Sequence, residues 1–187
     1  MRDIVSDAIL DAKKRLVFCA VGDKGTTAEY SYPADFQNVI GISTTSIGGV
    51  DPPTAESNKA KFSLPGEDLE TPMPSYLHQG LGKVKGSSAA TALAAGLASL
   101  ILTLVRFTYY KEDKARLSKN ERAERYFRVF RDPNNMMRVF RKMCTATEHR
   151  KFVQPWTVFP NASELEKMDI DKFKETLFTF FEEALRK

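Results

Sequence analysis

The sequence has little cysteine, histidine or tryptophan, with two Cys, two His and one Trp among 187 residues. Two cysteines, Cys19 and Cys144, are too few for a disulfide framework or a zinc site. Both have apolar neighbours, so we expect buried thiols in a reducing compartment. The first residues carry no apolar signal-peptide core, which favours a cytoplasmic protein. No cofactor and no metal are predicted, because the acidic loop residues are scattered: Asp51, Glu56, Glu67 and Asp68.

The sequence also lacks a long hydrophobic run and a strong net charge. The longest apolar stretch, 89–105, is shorter than the ~20 residues that a membrane helix needs, so no membrane partner is expected. The net charge of +4 is mild, and the basic residues concentrate after residue 105. One interpretation of the Arg- and Tyr-rich segment 106–131 is a nucleic-acid interface. It lacks a recognised motif, so a solvated helix face is favoured and no nucleic acid is predicted.

The apolar residues that are present indicate an α/β fold. Residues 3–13 have the periodicity of an amphipathic helix. Short runs over 16–21, 39–43 and 60–64 are typical of strands buried in a parallel sheet. Residues 75–85 are predicted as a loop that carries His78.

The second half of the sequence is predicted to be helical. Helices are expected over 117–131 and 135–144, separated by Pro133, and a last helix begins after Asp169 as its cap. We expect the last helix to dock on the sheet through an apolar face, which comprises Phe173, Leu177, Phe180, Phe181 and Leu185.

Two glycines, Gly86 and Gly96, bracket a run of small residues, and the apolar run 97–105 follows directly. Ser87 and Ser88 lie where a helix would begin, where serine side chains commonly cap backbone N–H groups. A second interpretation is that one of them is a nucleophile. The helix N-terminus would then stabilise the negative charge that develops during its attack.

Four segments in order resemble the second half of a subtilisin-like serine peptidase. They are 18–25, which ends in a Gly-Asp-Lys-Gly turn; Tyr-Pro-Ala at 32–34 with the strand at 38–42; Lys-Phe-Ser at 61–63 with Pro-Gly and Thr-Pro after it; and 86–96. The family writes the fourth as Gly-Thr-Ser-x-Ala-Thr-Pro-x-x-Ala-Gly. The matching residues are Gly86, Ser88, Ala90, Thr91, Ala95 and Gly96, while Ala92 replaces the proline.

The resemblance implies a partial subtilisin-like three-layer α/β fold with a mostly parallel sheet over 1–105. A helical C-terminal extension over 106–187 follows this domain. The resemblance also implies a serine endopeptidase that forms an acyl-enzyme on Ser88 and acts on a peptide or protein substrate. Ser87 takes the position of the small hydroxyl residue beside the nucleophile.

Asp23 stands where the family usually has the oxyanion-hole Asn. An amide donates a hydrogen bond there, whereas an ionised carboxylate does not. Some proprotein convertases of the family also carry Asp at this position, so Asp23 is kept as the candidate oxyanion-hole residue.

The family's Asp and His precede its Ser in the chain, and neither motif occurs in this sequence. His78 and His149 match no family motif. We therefore expect the isolated chain to be inactive, and its partners to include a missing N-terminal half or another chain. The alternative is a non-catalytic pseudo-peptidase fragment that acts as a protein-interaction module.

Overall fold

The computed structural model describes residues 15–22, 32–53, 55, 59–72, 80–110, 121–144 and 151–186. The predicted helix over 3–13 lies outside these residues, as do Asp23, His78 and His149. The strands are β1 (Val17–Ala20), β2 (Val39–Thr45), β3 (Phe62–Pro65), β4 (Leu69–Pro72) and β5 (Leu81–Val84). The helices are α1 (Ser87–Tyr109), α2 (Glu121–Phe130), α3 (Pro133–Lys142), α4 (Ala162–Leu165) and α5 (Ile170–Leu185).

Strands β1, β2 and β3 form a parallel sheet in that order, which confirms the predicted α/β class. Val17 is in register with Val39, and Ile42 with Phe62. The outer edge of β3 is covered by residues 151–153, since the Ser63 N–H donates to the Lys151 carbonyl at 2.8 Å. On the opposite edge, β1 pairs with β2 alone among the described strands.

The two faces of the parallel sheet differ, because neighbouring side chains along a strand point in opposite directions. Phe18, Ile40, Ile42 and Phe62 share a face and belong to the main hydrophobic core. On the other face lies a small second cluster, in which Val21 and Cys19 pack with Ala34 and Ala60.

Helix α1 packs across all three strands, and the later helices complete the main core. Phe140 of α3 contacts the rings of Phe18 and Phe62, at centroid distances of 6.1 and 5.3 Å. Phe181 of α5 contacts Phe130 of α2 at 5.2 Å. The last helix was expected to dock on the sheet; α5 packs instead on α1 and α3 and joins the main core through them. The division into 1–105 and 106–187 stays a prediction.

Several predicted boundaries are corrected by the structure. Residues 81–84, assigned to a loop, form β5 and pair antiparallel with β4. Helix α1 runs to Tyr109, four residues past the apolar stretch, because its buried face continues through Thr108 and Tyr109. Pro133 does interrupt the helices, and it does so as the first residue of α3, where Asp132 caps the helix. Asp169 caps α5 as predicted.

By length and composition alone, α1 is the one helix of the described residues that could cross a membrane. It has 23 residues, so the length predicted from the apolar stretch was too short. The same test is passed by core helices of globular proteins, and α1 packs on the sheet.

Candidate functional site

The carboxyl ends of β1 and β3 meet the N-terminus of α1, and this junction is the candidate active site. The Gly86 N–H donates to the Gly66 carbonyl at 2.6 Å, which ties the residue before α1 to the end of β3. The Ser87 hydroxyl donates to the Val21 carbonyl at 2.6 Å, which ties α1 to the end of β1. Two strands therefore fix where the helix begins.

Two glycines make this junction possible. Gly86 has a φ of 105°, in the region that favours residues without a Cβ. A Cβ on Gly66 would overlap the Thr44 hydroxyl and lie 2.7 Å from the Gly86 carbonyl oxygen and 3.0 Å from Ala90. Side chains at these positions would push α1 away from the sheet.

The two serines at the start of α1 lie in opposite environments. Ser87 is 2% exposed and points toward β1, whereas Ser88 is exposed. The N-cap residue is Gly86, and no side-chain hydrogen bond caps the helix. The interpretation of these serines as helix caps is therefore wrong. Sequence reasoning also missed the buried contact that Ser87 makes.

The electrostatics at the start of α1 favour a negative charge. An α-helix leaves the N–H groups of its first turn without intrahelical acceptors, and its dipole places partial positive charge there. The first turn of α1 contains no acidic residue that would neutralise this charge. A negatively charged oxygen that develops beside Ser88 would be stabilised by this partial positive charge.

Other predicted site residues are not brought together by the described part of the structure. Gly22 follows β1, but Asp23 lies outside the described residues, so its oxyanion-hole role stays a prediction. The described residues include no histidine, because both His78 and His149 lie outside them. They also include no group of three or more His, Cys, Asp or Glu able to hold a metal ion.

Lys61 fixes the loop that leads into β2. Its ammonium donates to the carbonyls of Phe36, Gln37 and Val39 at 2.8, 2.7 and 2.6 Å. Burial, and secondarily the charge of Arg141, lower the pKa of Lys61 below its ordinary value. This contact was not predicted, since nothing in the sequence pairs a lysine with a loop 22 to 25 residues earlier.

Cys19 lies in β1 near the junction and is half-buried. Burial raises the pKa of its thiol, a nearby carboxylate adds to the shift, and a backbone hydrogen bond opposes it. A thiol with a raised pKa is a poor nucleophile at neutral pH. Ser88 differs from Cys19 in being exposed and in lying on the first turn of α1, and it is the better candidate for these two reasons.

Fold and site together define an α/β protein that presents a serine at a helix N-terminus, beside the carboxyl ends of parallel strands. The model of the subtilase family matches residues 3–123, well over half of the chain. The chain belongs to the subtilase family.

The chain resembles known subtilases over part of their length. The major intracellular serine protease of Bacillus subtilis (strain 168) is 31% identical over 104 residues, covering 52% of this chain and 32% of that protein. The structure of the self-cleaved protease domain of PatA superposes with a TM-score of 0.57 at 16% identity, covering 97% of this chain and 54% of that one. The PatG macrocyclase domain gives 0.62 at 14%, covering 95% and 48%. The chain thus spans about a third of the curated relative and about half of these structures.

Proposed function

We propose that this chain is the nucleophile-bearing part of a subtilisin-like serine endopeptidase, with Ser88 as the nucleophile. The observation that carries the proposal is the position of Ser88: exposed, on the first turn of α1, at the edge where β1 and β3 end. The family membership of the chain supports the same residue.

The reaction would be acyl transfer from a peptide bond. The Ser88 hydroxyl oxygen attacks the carbonyl carbon while its proton passes to a general base. The carbonyl oxygen becomes an oxyanion, which the Ser88 backbone N–H and the Asp23 region stabilise. The C–N bond then breaks, the amine leaves with the proton, and water hydrolyses the acyl ester on Ser88. The substrate is a peptide or protein, as the function of the Bacillus protease suggests.

The proposed general base lies outside the described residues. Serine without an adjacent base is a weak nucleophile. In serine proteases, subtilisin among them, loss of one member of the catalytic triad leaves only ~10³–10⁴-fold acceleration over water. The isolated chain is therefore expected to be inactive until a polypeptide supplies His and Asp.

The test is labelling with a fluorophosphonate, which reacts with activated serines. The chain is compared alone and fused behind the Asp- and His-bearing segment that precedes the matched region in the Bacillus relative. We expect weak labelling alone, stronger labelling in the fusion, and loss of labelling in Ser88→Ala. Ser99→Ala is the matched control, because Ser99 is an exposed serine on the same helix, away from the junction. Labelling that persists in Ser88→Ala would contradict the proposal.

A second candidate function is a pseudo-peptidase that acts as a protein-interaction module. The exposed apolar side chains of α1, with Leu93 45% and Leu100 51% exposed, favour this candidate. A folded fusion that gains no Ser88-dependent labelling would support it over catalysis.

A further inference from the structure

An exposed apolar patch lies at the carboxyl edge of the parallel sheet. It consists of Ile47, Val50 and Trp156, whose side chains are 69%, 62% and 58% exposed. Ile47 and Val50 belong to the loop that follows β2, and Trp156 lies in a short 3-10 helix, Pro155–Thr157. Exposed apolar surfaces mark interaction sites, and tryptophan is among the residues that most often dominate binding energy.

Hydrogen bonds fix the conformation of the loop that carries Ile47 and Val50. The Ser46 N–H donates to the Val50 carbonyl at 2.9 Å, and the Gly49 N–H donates to the Ser46 carbonyl at 3.0 Å. The Val50 N–H donates to the Ser46 hydroxyl at 3.1 Å. The patch is therefore presented without the entropic cost of ordering a free loop when a ligand binds.

Phe152 joins this loop to Trp156 from below. The centroids of the Phe152 and Trp156 rings are 5.9 Å apart, and a Cβ added to Gly49 would lie 2.5 Å from the Phe152 ring. Gly49 also has a φ of 80°, in the region that favours glycine. Since Phe152 is only 3% exposed, the patch is supported by a buried aromatic ring.

The apolar patch and Ser88 lie at the same edge of the sheet. Segment 151–153 runs parallel to β3, with Phe152 opposite Ser63, so Trp156 follows the carboxyl end of that segment. Neighbouring strands are about 4.8 Å apart, which places segment 151–153 about 10 Å from β2 and about 14 Å from β1. The helix that carries Ser88 begins over the ends of these strands. An extended polypeptide rises about 3.3 Å per residue, so about three to four residues bridge this distance.

We propose that the apolar patch binds a large apolar side chain of the polypeptide substrate, about three to four residues along the substrate from the bond that Ser88 attacks. A peptide that lies extended along this edge of the sheet brings that side chain onto Trp156, Ile47 and Val50. Burial of the apolar surface of both partners favours leucine or phenylalanine over serine at this position. This choice of ligand rests on the proposed function, whereas the binding itself is measured without catalysis.

The experiment uses the fluorescence of Trp156, which is the one tryptophan of the chain. Ser88→Cys is made in a Cys19→Ala, Cys144→Ala background of the full chain. A peptide of glycine and serine with one leucine is attached to the new thiol, by its N-terminus or by its C-terminus, and the position of the leucine is varied. Attachment holds the peptide at about millimolar effective concentration, so weak binding is detected. Quenching by acrylamide then measures the exposure of the Trp156 ring.

We expect leucine at the third or fourth position, in one of the two peptide directions, to lower the quenching of Trp156 by about half. The reason is that a side chain packed on one face of the indole covers that face. Serine at the same position should leave the quenching unchanged. Ile47→Ser should remove the effect of leucine. Ile170→Ser is the matched control, because Ile170 is an equally exposed isoleucine on α5, and it should not change the effect.

Equal quenching with leucine and serine in both directions, in a chain that is folded by circular dichroism, would overturn the proposal. An effect that does not depend on the position of the leucine would also overturn it. So would quenching of the peptide-free chain that falls as its own concentration rises, because a second copy would then cover the patch. Protection by leucine without Ser88-dependent fluorophosphonate labelling of the fusion would keep the patch as a binding surface and refute the proposed catalysis.

Discussion

Ser87 and Ser88 are chemically identical neighbours, and the structure places them in different roles. The Ser87 hydroxyl satisfies the carbonyl of Val21, which is 1% exposed. Ser88 is exposed on the first turn of α1. Removal of the Ser87 hydroxyl leaves a buried acceptor without this donor, which costs about 1–3 kcal/mol.

We therefore expect Ser87→Ala to lower the free energy of unfolding by about 1–3 kcal/mol. Ser88→Ala, the matched control, should change it by less than about 0.5 kcal/mol, as is usual for surface substitutions. Urea denaturation of both variants measures the difference. Equal stabilities would show that the Ser87 hydroxyl does not hold α1 against β1.

Cys144 gives a prediction for the pH dependence of stability. Burial raises the pKa of its thiol to about 11 from an ordinary value of 9.0, and Arg141 opposes the shift. Between these values the unfolded thiol loses its proton while the folded one keeps it. The unfolded state then binds fewer protons, so stability falls as the pH rises from about 9 to 11. Cys144→Ala should make this decline shallower in unfolding curves at each pH; an unchanged slope would contradict the assignment.

At the scale of elements, the entry into α1 depends on the close approach of Gly66 to the helix. Gly66→Ala places a methyl group against Thr44 and the Gly86 carbonyl. Overpacking of this kind costs about 1–3 kcal/mol. Gly96→Ala, in the middle of the same helix, meets nothing within 4 Å and should stabilise the protein by about 0.5–1 kcal/mol. Thermal unfolding of the two variants should shift in opposite directions.

The elements that could be predicted from sequence are those whose residues are buried. β1, β2 and β3 are short apolar runs, and all three were expected as parallel strands. β5 was missed because Leu81, Lys83 and Val84 are exposed. Its sequence therefore lacks the alternation of buried and exposed residues that would predict a strand. The end of α1 was missed because the charged residue Arg106 ends the apolar stretch, although the helix continues to the buried Tyr109.

Only part of the candidate site could be predicted from the sequence. Ser88 was recognised through a motif, because motif residues stand at fixed spacings along one segment. The contacts of Ser87 with Val21 and of Lys61 with the loop before β2 join residues that are 66 and 22–25 positions apart. Hydrogen bonds of that kind depend on tertiary geometry, which no local pattern encodes.

At the scale of the whole molecule, the helices after α1 share a core with the sheet. Leu177 and Phe181 are at most 1% exposed and belong to the same cluster as Ile40 and Phe62. We expect deletion of residues 111–187 to abolish cooperative thermal unfolding, since it uncovers that core. A truncated chain with an unchanged melting temperature would show that these residues form an independent tail.

A pair of aromatic residues provides the control for that deletion. Phe181 is fully buried, whereas Phe178 is 38% exposed, and both lie on α5. Phe181→Ala should cost about 3–5 kcal/mol, as expected for a fully buried phenylalanine, and Phe178→Ala less. Both values come from denaturant unfolding of the full chain.

The three carbonyls around the Lys61 ammonium have a consequence for the conditions under which the protein works. An oxygen cluster of this kind is ordinarily matched by a dissolved cation, whose occupancy rises and falls with its concentration. Here the positive charge is covalently attached, so its presence does not depend on the concentration of a dissolved ion. The loop before β2 therefore needs no bound metal ion at these three carbonyls to keep its shape.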